Sequence, residues 1–230
     1  MTEVDVTEAA LLAPPVAGAV FGERLGAARR FVELLAGPGI QRGVIGPREV
    51  ERLWDRHMLN SVAVAELIAR GGRVLDVGSG AGLPGIPLAL ARPDLEVALL
   101  EPMARRVAWL QEMVDELRLP VTVYRGRAEE PPVRSRCGGR DVVTARAVAP
   151  LGRLAGWCLP LLRPGGRLLA LKGTSARDEV SRDLADVRAA GGGRIEVVEC
   201  GVALTEPVTT VVVVSRRGDT VAQPRSRKDQ

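Results

Sequence analysis

The chain has 230 residues, of which 46% are hydrophobic and 26% charged, with a formal net charge of +4 and a pI of about 9.5. This composition predicts one globular α/β domain with additional elements and excludes a disordered chain, and no apolar run approaches the roughly 20 residues of a membrane span. Three widely separated cysteines, Cys137, Cys158 and Cys200, lack the spacing of a metal site and are typical of a reducing cytoplasm.

The first 72 residues predict a flexible N-terminus followed by a helical extension. Residues 1–18 contain two adjacent prolines and early acidic residues, which is not the pattern of a secretory signal. Residues 19–72 hold two helical patterns. "FGERLGAARRFVELLAGPG" is expected to end at Gly37-Pro38-Gly39, and "GPREVERLWDRHMLNSVAVAELIAR" has Pro47 in its first turn.

Residues 73–216 predict the main domain, because short apolar segments alternate there with helical ones. The predicted strands are "RVLDV", "EVALLE", "VTVY", "DVVTARA", "GRLLALKG", "RIEVVEC" and "VTTVVVVS", with helices near 84–91, 104–118, 150–162 and 176–190. The helix near 150–162 is expected to end at Pro164-Gly165-Gly166, where the chain turns into the next strand. This alternation indicates a mostly parallel, Rossmann-like sheet of seven strands with helices on both faces. Residues 217–230 are expected to form a basic, flexible tail.

A glycine loop follows the first strand, in "VLDVGSGAGLPGIPLAL". Gly78, Gly80 and Gly82 let the backbone approach a ligand closely, but Leu83 occupies the third glycine position of a dinucleotide fingerprint, and no Walker lysine follows. Asp76, at the end of the strand, would repel a pyrophosphate and accept hydrogen bonds from a cationic ligand. The loop therefore favours S-adenosylmethionine, which carries an ammonium group and no phosphate.

Two further segments are expected at the same edge of the sheet. Glu101 ends the second strand, where an acid can bind both ribose hydroxyls, although a dehydrogenase would use the same position and a solvated acid is the plain alternative. Ala128 and Glu129 follow the third strand and can address the adenine.

These segments, together with "RHMLNSVAVAELI", "YRGRAEE" and "DVVTARAVAPL", resemble the RsmG (GidB) family of bacterial methyltransferases over residues 20–215. The resemblance implies a class I S-adenosylmethionine-dependent methyltransferase fold. It also implies methylation of N7 of guanine 527 in 16S ribosomal RNA. Matched by position, the family's cofactor contacts fall on Gly78, Leu83, Ala128, Glu129 and Arg146. One departure is Asn60, where the family has an acid before Ser61, and a pairing of that acid with Arg56 would be weaker here.

The RNA-binding candidates are Arg56, His57, Arg146 and Lys172. Arg146 ends the fourth strand, where it can bind an RNA phosphate or the cofactor's carboxylate. Lys172 ends the fifth strand and is one of only two lysines, so nearly all positive charge is arginine. A guanidinium can form two hydrogen bonds with one phosphate, which suits a nucleic-acid partner. An arginine-rich codon composition explains the excess of arginine over lysine equally well. His57, the only histidine, is interpreted as a structural residue bonded to backbone. The arginines of "RSRCGGR" are expected in a solvated linker.

No acid or base is required for this chemistry, because N7 of guanine attacks a methyl group without first losing a proton. Two other classes remain open: a nicotinamide-dependent oxidoreductase, for which Leu83 is unsuited, and a non-catalytic RNA-binding module. We expect a cytoplasmic monomer without a membrane segment that acts on 16S ribosomal RNA or the small ribosomal subunit.

Overall fold

The computed structural model describes residues 11–205 and 208–218. Their seven strands form one sheet in the order β3-β2-β1-β4-β5-β7-β6, which confirms the predicted Rossmann-like architecture. The strands β1 to β5 run parallel, whereas β7 is antiparallel to both of its neighbours. The strand bounds are β1 Arg73–Val77, β2 Glu96–Glu101, β3 Thr122–Arg125, β4 Arg140–Arg146, β5 Leu162–Lys172, β6 Gly192–Cys200 and β7 Thr209–Arg216.

Eight α-helices surround this sheet within the described part of the chain, and short 3-10 and π segments extend several of them. The α-helices are α1 Pro15–Phe21, α2 Leu25–Leu34, α3 Asn60–Ala63, α4 Gly85–Ala91, α5 Ala104–Glu116, α6 Pro131–Cys137, α7 Leu151–Cys158 and α8 Ala176–Ala189. The predicted helices of the main domain are thus confirmed to within a few residues. None of the helices in these residues is long and apolar enough to cross a membrane.

The sheet separates two apolar cores, because alternate residues of each strand point to opposite faces. Val74 and Leu99 belong to the first core, which also contains the side chains of the N-terminal extension, α4 and α5. Leu75 and Leu100 belong to the second core, which α6, α7 and α8 cover. The N-terminal extension therefore shares a core with the sheet.

The N-terminal segments differ from the prediction in three respects. Residues 15–18 belong to α1, with Ala17 fully buried, because small apolar side chains here pack into the first core. The helix that includes α2 does not end at Gly37-Pro38-Gly39 but continues as a π segment, Leu35–Gly39, whose wider turn accommodates Pro38. The predicted second helix is a succession of Pro47–Arg52 (3-10), Leu53–Leu59 (π), α3 and Val64–Leu67 (3-10). Residues 1–10 and 219–230 lie outside the described residues.

Two predictions in the main domain are also wrong. The segment read as a solvated linker, residues 134–140, overlaps the end of α6, and Arg140 is buried in β4, where it donates to Cys137 O at 2.9 Å and pairs with Glu96 at 3.0 Å. Likewise, β5 begins at Leu162, so Pro164 lies within the strand rather than at the end of a helix. A proline is compatible with that position because it stands at the start of the strand, before the continuous pairing with β4 begins at Arg167.

Candidate cofactor-binding site

A cavity of about 280 Å³ opens at the carboxyl ends of β1, β2, β3 and β4. In an open α/β sheet this edge, beside the point where the strand order reverses, is where ligands bind. The order β3-β2-β1-β4 places that point between β1 and β4. The cavity is lined by Val77, Gly78, Leu100, Glu101, Pro102, Met103, Arg106, Gly126, Arg127, Ala128, Glu129, Ala147, Val148 and Trp157. Four predicted cofactor residues, Gly78, Glu101, Ala128 and Glu129, are among them.

The glycine loop is fixed against the end of β2. The amides of Gly78 and Ser79 both donate to the Leu100 carbonyl, at 2.8 and 3.2 Å. Gly78 has a φ of +71°, and a Cβ there would lie 2.8 Å from the Val148 side chain. Gly80 also has a positive φ, of +55°, but a Cβ there would meet nothing closer than 3.8 Å. Gly78 is therefore the glycine whose missing side chain keeps the cavity open.

Glu101 links the loop to the cavity wall. Its side chain is 2% exposed, and its two carboxylate oxygens accept hydrogen bonds from the amides of Gly80 and Met103, each at 3.0 Å. Each carboxylate oxygen can accept more than one hydrogen bond. Glu101 thus stabilises the loop and still offers acceptors at the cavity.

Asp76 lies behind the loop, which corrects the expectation that its carboxylate faces the ligand. It is fully buried, and it accepts hydrogen bonds from the Thr144 hydroxyl at 3.0 Å and from the Gly85 amide at 3.2 Å. Burial raises the pKa of this carboxyl to about 6, although these hydrogen bonds and the charge of Arg146 oppose the shift. A Cβ on Gly85 would stand 3.0 Å from the Asp76 carboxylate and 2.2 Å from Leu99, so only glycine lets helix α4 approach so closely.

Gly82 and Leu83 also lie away from the cavity. A Cβ on Gly82 would lie 2.5 Å from the Ile86 side chain, so Gly82 packs against the first turn of α4. Leu83 is 6% exposed and belongs to the first apolar core. The loop sequence therefore serves helix packing as well as the cavity.

Arg146 and His57 are brought together at the end of β4. An Arg146 N–H donates to His57 Nδ1 at 3.0 Å, and another donates to the Arg56 carbonyl at 3.1 Å. His57 Nε2 lies 2.7 Å from a carboxylate oxygen of Glu49. His57 is buried, and its partners are two side chains rather than the backbone that was expected.

The charges in this group follow from burial and proximity. Burial, assisted by the charge of Arg146, lowers the pKa of His57 to about 4, even though Glu49 opposes the shift. Burial also lowers the pKa of Arg146 to about 10. At neutral pH the group therefore consists of an anionic Glu49, a neutral His57 and a cationic Arg146.

The other candidates occupy different surroundings. The Lys172 ammonium donates to the Ala149 carbonyl and to Glu179, each at 2.9 Å, and so holds the turn before α7. Arg56 is exposed and lies 3.8 Å from Glu49. Asn60 donates to the Thr209 hydroxyl at 2.7 Å, so its amide links the N-terminal extension to β7 rather than to Arg56.

Several residues of the site are not among the sequence candidates. Of these, only Thr144 could have been found from the sequence, because it places a hydroxyl among the apolar residues of β4. Glu49, Arg106 and Trp157 gave no signal, because each reaches its position only through packing of separate elements.

Comparison with solved structures shows which fold the chain has. Fibrillarin from Aeropyrum pernix, crystallised with natively bound S-adenosyl-L-methionine, superposes with a TM-score of 0.52 at 20% identity, over 68% of this chain and 76% of its own. An O-methyltransferase family protein from Burkholderia thailandensis superposes with a TM-score of 0.54 at 17% identity, over 83% of this chain and 62% of its own. The fold is the Rossmann-like fold of S-adenosylmethionine-dependent methyltransferases.

Sequence relatives identify the particular family. The chain is 57% identical over 204 residues to ribosomal RNA small subunit methyltransferase G of Mycolicibacterium paratuberculosis, covering 89% of this chain and 82% of the relative. It is 57% identical over 209 residues to the protein of that name from Rhodococcus jostii, covering 91% and 90%. The model of the GidB family, rRNA small subunit methyltransferase G, matches residues 24–206. The chain belongs to this family.

Proposed function

We propose that this chain transfers the methyl group of S-adenosylmethionine to N7 of a guanine in 16S ribosomal RNA, guanine 527 by likeness to its family. The observation that carries the proposal is the family match over residues 24–206, together with the cavity that three family cofactor positions, Gly78, Ala128 and Glu129, line. The proposal extends to a cytoplasmic monomer that acts on the RNA or on the small ribosomal subunit.

The cavity fits the proposed cofactor in two respects. A side chain at Gly78 would fill the space beside Val148, so the open cradle depends on glycine. Arg106 lines the cavity, and its buried Nε has no hydrogen-bond partner within the described residues. A buried donor without a partner costs free energy unless a ligand accepts from it. When bound, S-adenosylmethionine supplies an activated methyl group on a sulfonium.

The residues of the chain would then bind and orient the reactants. We assign the ribose hydroxyls to Glu101, the adenine to the segment of Ala128 and Glu129, and the cofactor's carboxylate to Arg146. A charge-assisted hydrogen bond from a guanidinium suits a carboxylate. Lys172 is not assigned to phosphate, because its ammonium already has two partners inside the protein.

We infer that the reaction needs no general base. N7 of guanine is a hydrogen-bond acceptor in the major groove and is free even in a base pair. His57 has both ring nitrogens engaged, by Glu49 and Arg146, so neither is free to remove a proton. The enzyme's contribution would then be proximity and alignment of N7 with the methyl group.

Two measurements test the proposal. Calorimetry should show binding of S-adenosylhomocysteine and no binding of NADH, and the reverse result would favour the oxidoreductase. Mapping of N7-methylated guanines should show one guanine of 16S ribosomal RNA unmodified in a strain lacking the gene and modified again on complementation. An unchanged methylation map would contradict the assigned substrate, and RNA binding without cofactor binding would favour the non-catalytic module.

A further inference from the structure

A chain of three side chains crosses from the N-terminal extension to the strand that ends beside the cavity. Glu49 lies in the 3-10 segment, His57 in the π segment and Arg146 at the end of β4. The contacts are 2.7 Å between Glu49 and His57 Nε2 and 3.0 Å between His57 Nδ1 and Arg146. The next two residues after Arg146, Ala147 and Val148, line the cavity. The extension is thereby tied to the cavity wall through hydrogen bonds.

The donors and acceptors in these contacts determine the state of the imidazole. A guanidinium can only donate hydrogen bonds, so His57 Nδ1 must accept from Arg146. The proton of a neutral imidazole is then on Nε2, which donates to the anionic carboxylate of Glu49. An imidazolium would present an N–H to the guanidinium and break that contact. Only one of the three states of the ring therefore fits.

The Arg146 guanidinium is partly buried and has no direct ion pair among the described residues. Among residues 11–205 and 208–218, no carboxylate oxygen lies within 4.0 Å of an Arg146 side-chain nitrogen, the limit for a salt bridge. The hydrogen-bond partners of the guanidinium in these residues are the His57 imidazole and the Arg56 carbonyl. A guanidinium has five N–H groups, so donors remain for an anionic ligand. The imidazole holds this cation in place without neutralising it.

We propose that His57, kept in its Nε2–H form by Glu49, is a positioning residue that aims Arg146 at the anionic group of the bound reactant. The proposal rests on the proposed function, since the reactant is the methyl donor of that reaction. His57 touches neither reactant nor cofactor and acts only through Arg146. A side chain that retains an acceptor at the place of Nδ1 should retain this role, whereas one without an acceptor should lose it.

The sole histidine of the chain makes the imidazole directly observable. Nitrogen-15 NMR of the full-length protein has one imidazole to report, so no assignment is needed. At pH 7 we expect the Nε2–H form. The charged groups around the ring are Glu49, Arg56 and Arg146. Glu49→Gln should lower the histidine pKa and Arg56→Ala should raise it, because the removed charges are opposite. An Nδ1–H form, an imidazolium, or pKa shifts of the same sign would overturn the proposal.

Function is tested with a matched pair of variants at His57. His57→Asn places an amide oxygen near the position of Nδ1, and His57→Leu fills similar space without an acceptor. We expect His57→Leu to weaken S-adenosylhomocysteine binding and slow single-turnover methyl transfer at least about tenfold, the scale of a hydrogen bond to a charged group. His57→Asn should stay within about threefold of wild type. Circular dichroism checks that both variants fold.

The outcomes separate this proposal from the function itself. If the wild type methylates 16S ribosomal RNA and the His57→Leu and His57→Asn variants give equal results, the positioning role of His57 is refuted and the proposed function stands. Wild-type protein that does not methylate the RNA would refute the proposed function, while the NMR result would still decide the state of the imidazole. If either variant fails to fold, the NMR measurements on Glu49→Gln and Arg56→Ala decide the proposal.

Discussion

Asp76→Asn should make the protein more stable at neutral pH. The carboxylate is fully buried behind the glycine loop, where it accepts from Thr144 and Gly85. Asparagine has nearly the same shape, and its amide oxygen can still accept from Gly85. The substitution therefore removes a buried charge without leaving a cavity.

The magnitude follows from the raised pKa of Asp76. The folded-state pKa of about 6 exceeds the usual value of about 3.9 for an unfolded aspartate, a difference of about two units. The folded state then binds more protons between these two pKa values, so the free energy of unfolding falls as pH rises from about 4 to about 6. At about 1.4 kcal/mol per unit, the ionised group costs up to about 3 kcal/mol above pH 6. We expect Asn to raise the free energy of unfolding by about 1–3 kcal/mol at pH 8. The gain can fall below the full cost of the charge because the Thr144 hydroxyl loses its acceptor.

Urea denaturation at a series of pH values measures this gain. The stability difference between Asp76→Asn and wild type should be small near pH 4 and should grow up to about pH 7, with unchanged m values. Asp183→Asn is the matched control. Its carboxylate accepts from the Gly152 amide at the start of α7, and the hydrogen bond from Arg182 lowers its pKa. The control should lose stability at neutral pH, which is the opposite sign.

Two results would refute the reasoning. A stability difference that does not change with pH would mean that Asp76 keeps an ordinary pKa in the folded state. A variant that is less stable than wild type at pH 8 would mean that the charge contributes more through its hydrogen bonds than burial costs.

The remaining predictions concern the glycines and the reaction. Gly78→Ala should reduce S-adenosylhomocysteine affinity at least about tenfold in calorimetry, whereas Gly80→Ala, with similar backbone strain and free space, should reduce it less. Gly85→Ala should lower the free energy of unfolding by about 1–3 kcal/mol in urea denaturation, whereas Gly156→Ala, inside α7 with nothing within 4 Å, should be neutral or stabilising. The single-turnover rate of the wild type should be nearly flat from about pH 6 to 9, and a tenfold rise would reveal a general base. RNA affinity should fall steeply with salt, and an affinity independent of salt would argue against phosphate contacts.

The sheet could be read from the sequence because each strand is a short apolar run between turns. The β1 and β2 segments, "RVLDV" and "EVALLE", were predicted to the residue, since both are buried on both faces and bounded by polar positions. Residues 11–70 were less predictable. They share the first apolar core with α4 and α5, and local helical periodicity does not report their 3-10 and π turns.

The sequence by itself determined where the cavity lies. Gly78, Glu101 and Ala128 each follow or end a parallel strand, and parallel strands place their carboxyl ends at one edge of the sheet. Only the tertiary structure decided which side chains face the cavity and which face away from it. Asp76 and Glu101 both end strands, yet Asp76 is sealed behind the loop because Gly85 lets α4 approach it, and the joining of Glu49, His57 and Arg146 depends on packing between elements about 90 residues apart. Spacing along a chain fixes which end of a strand a residue occupies, but contacts between distant elements fix its neighbours, its charge and its role.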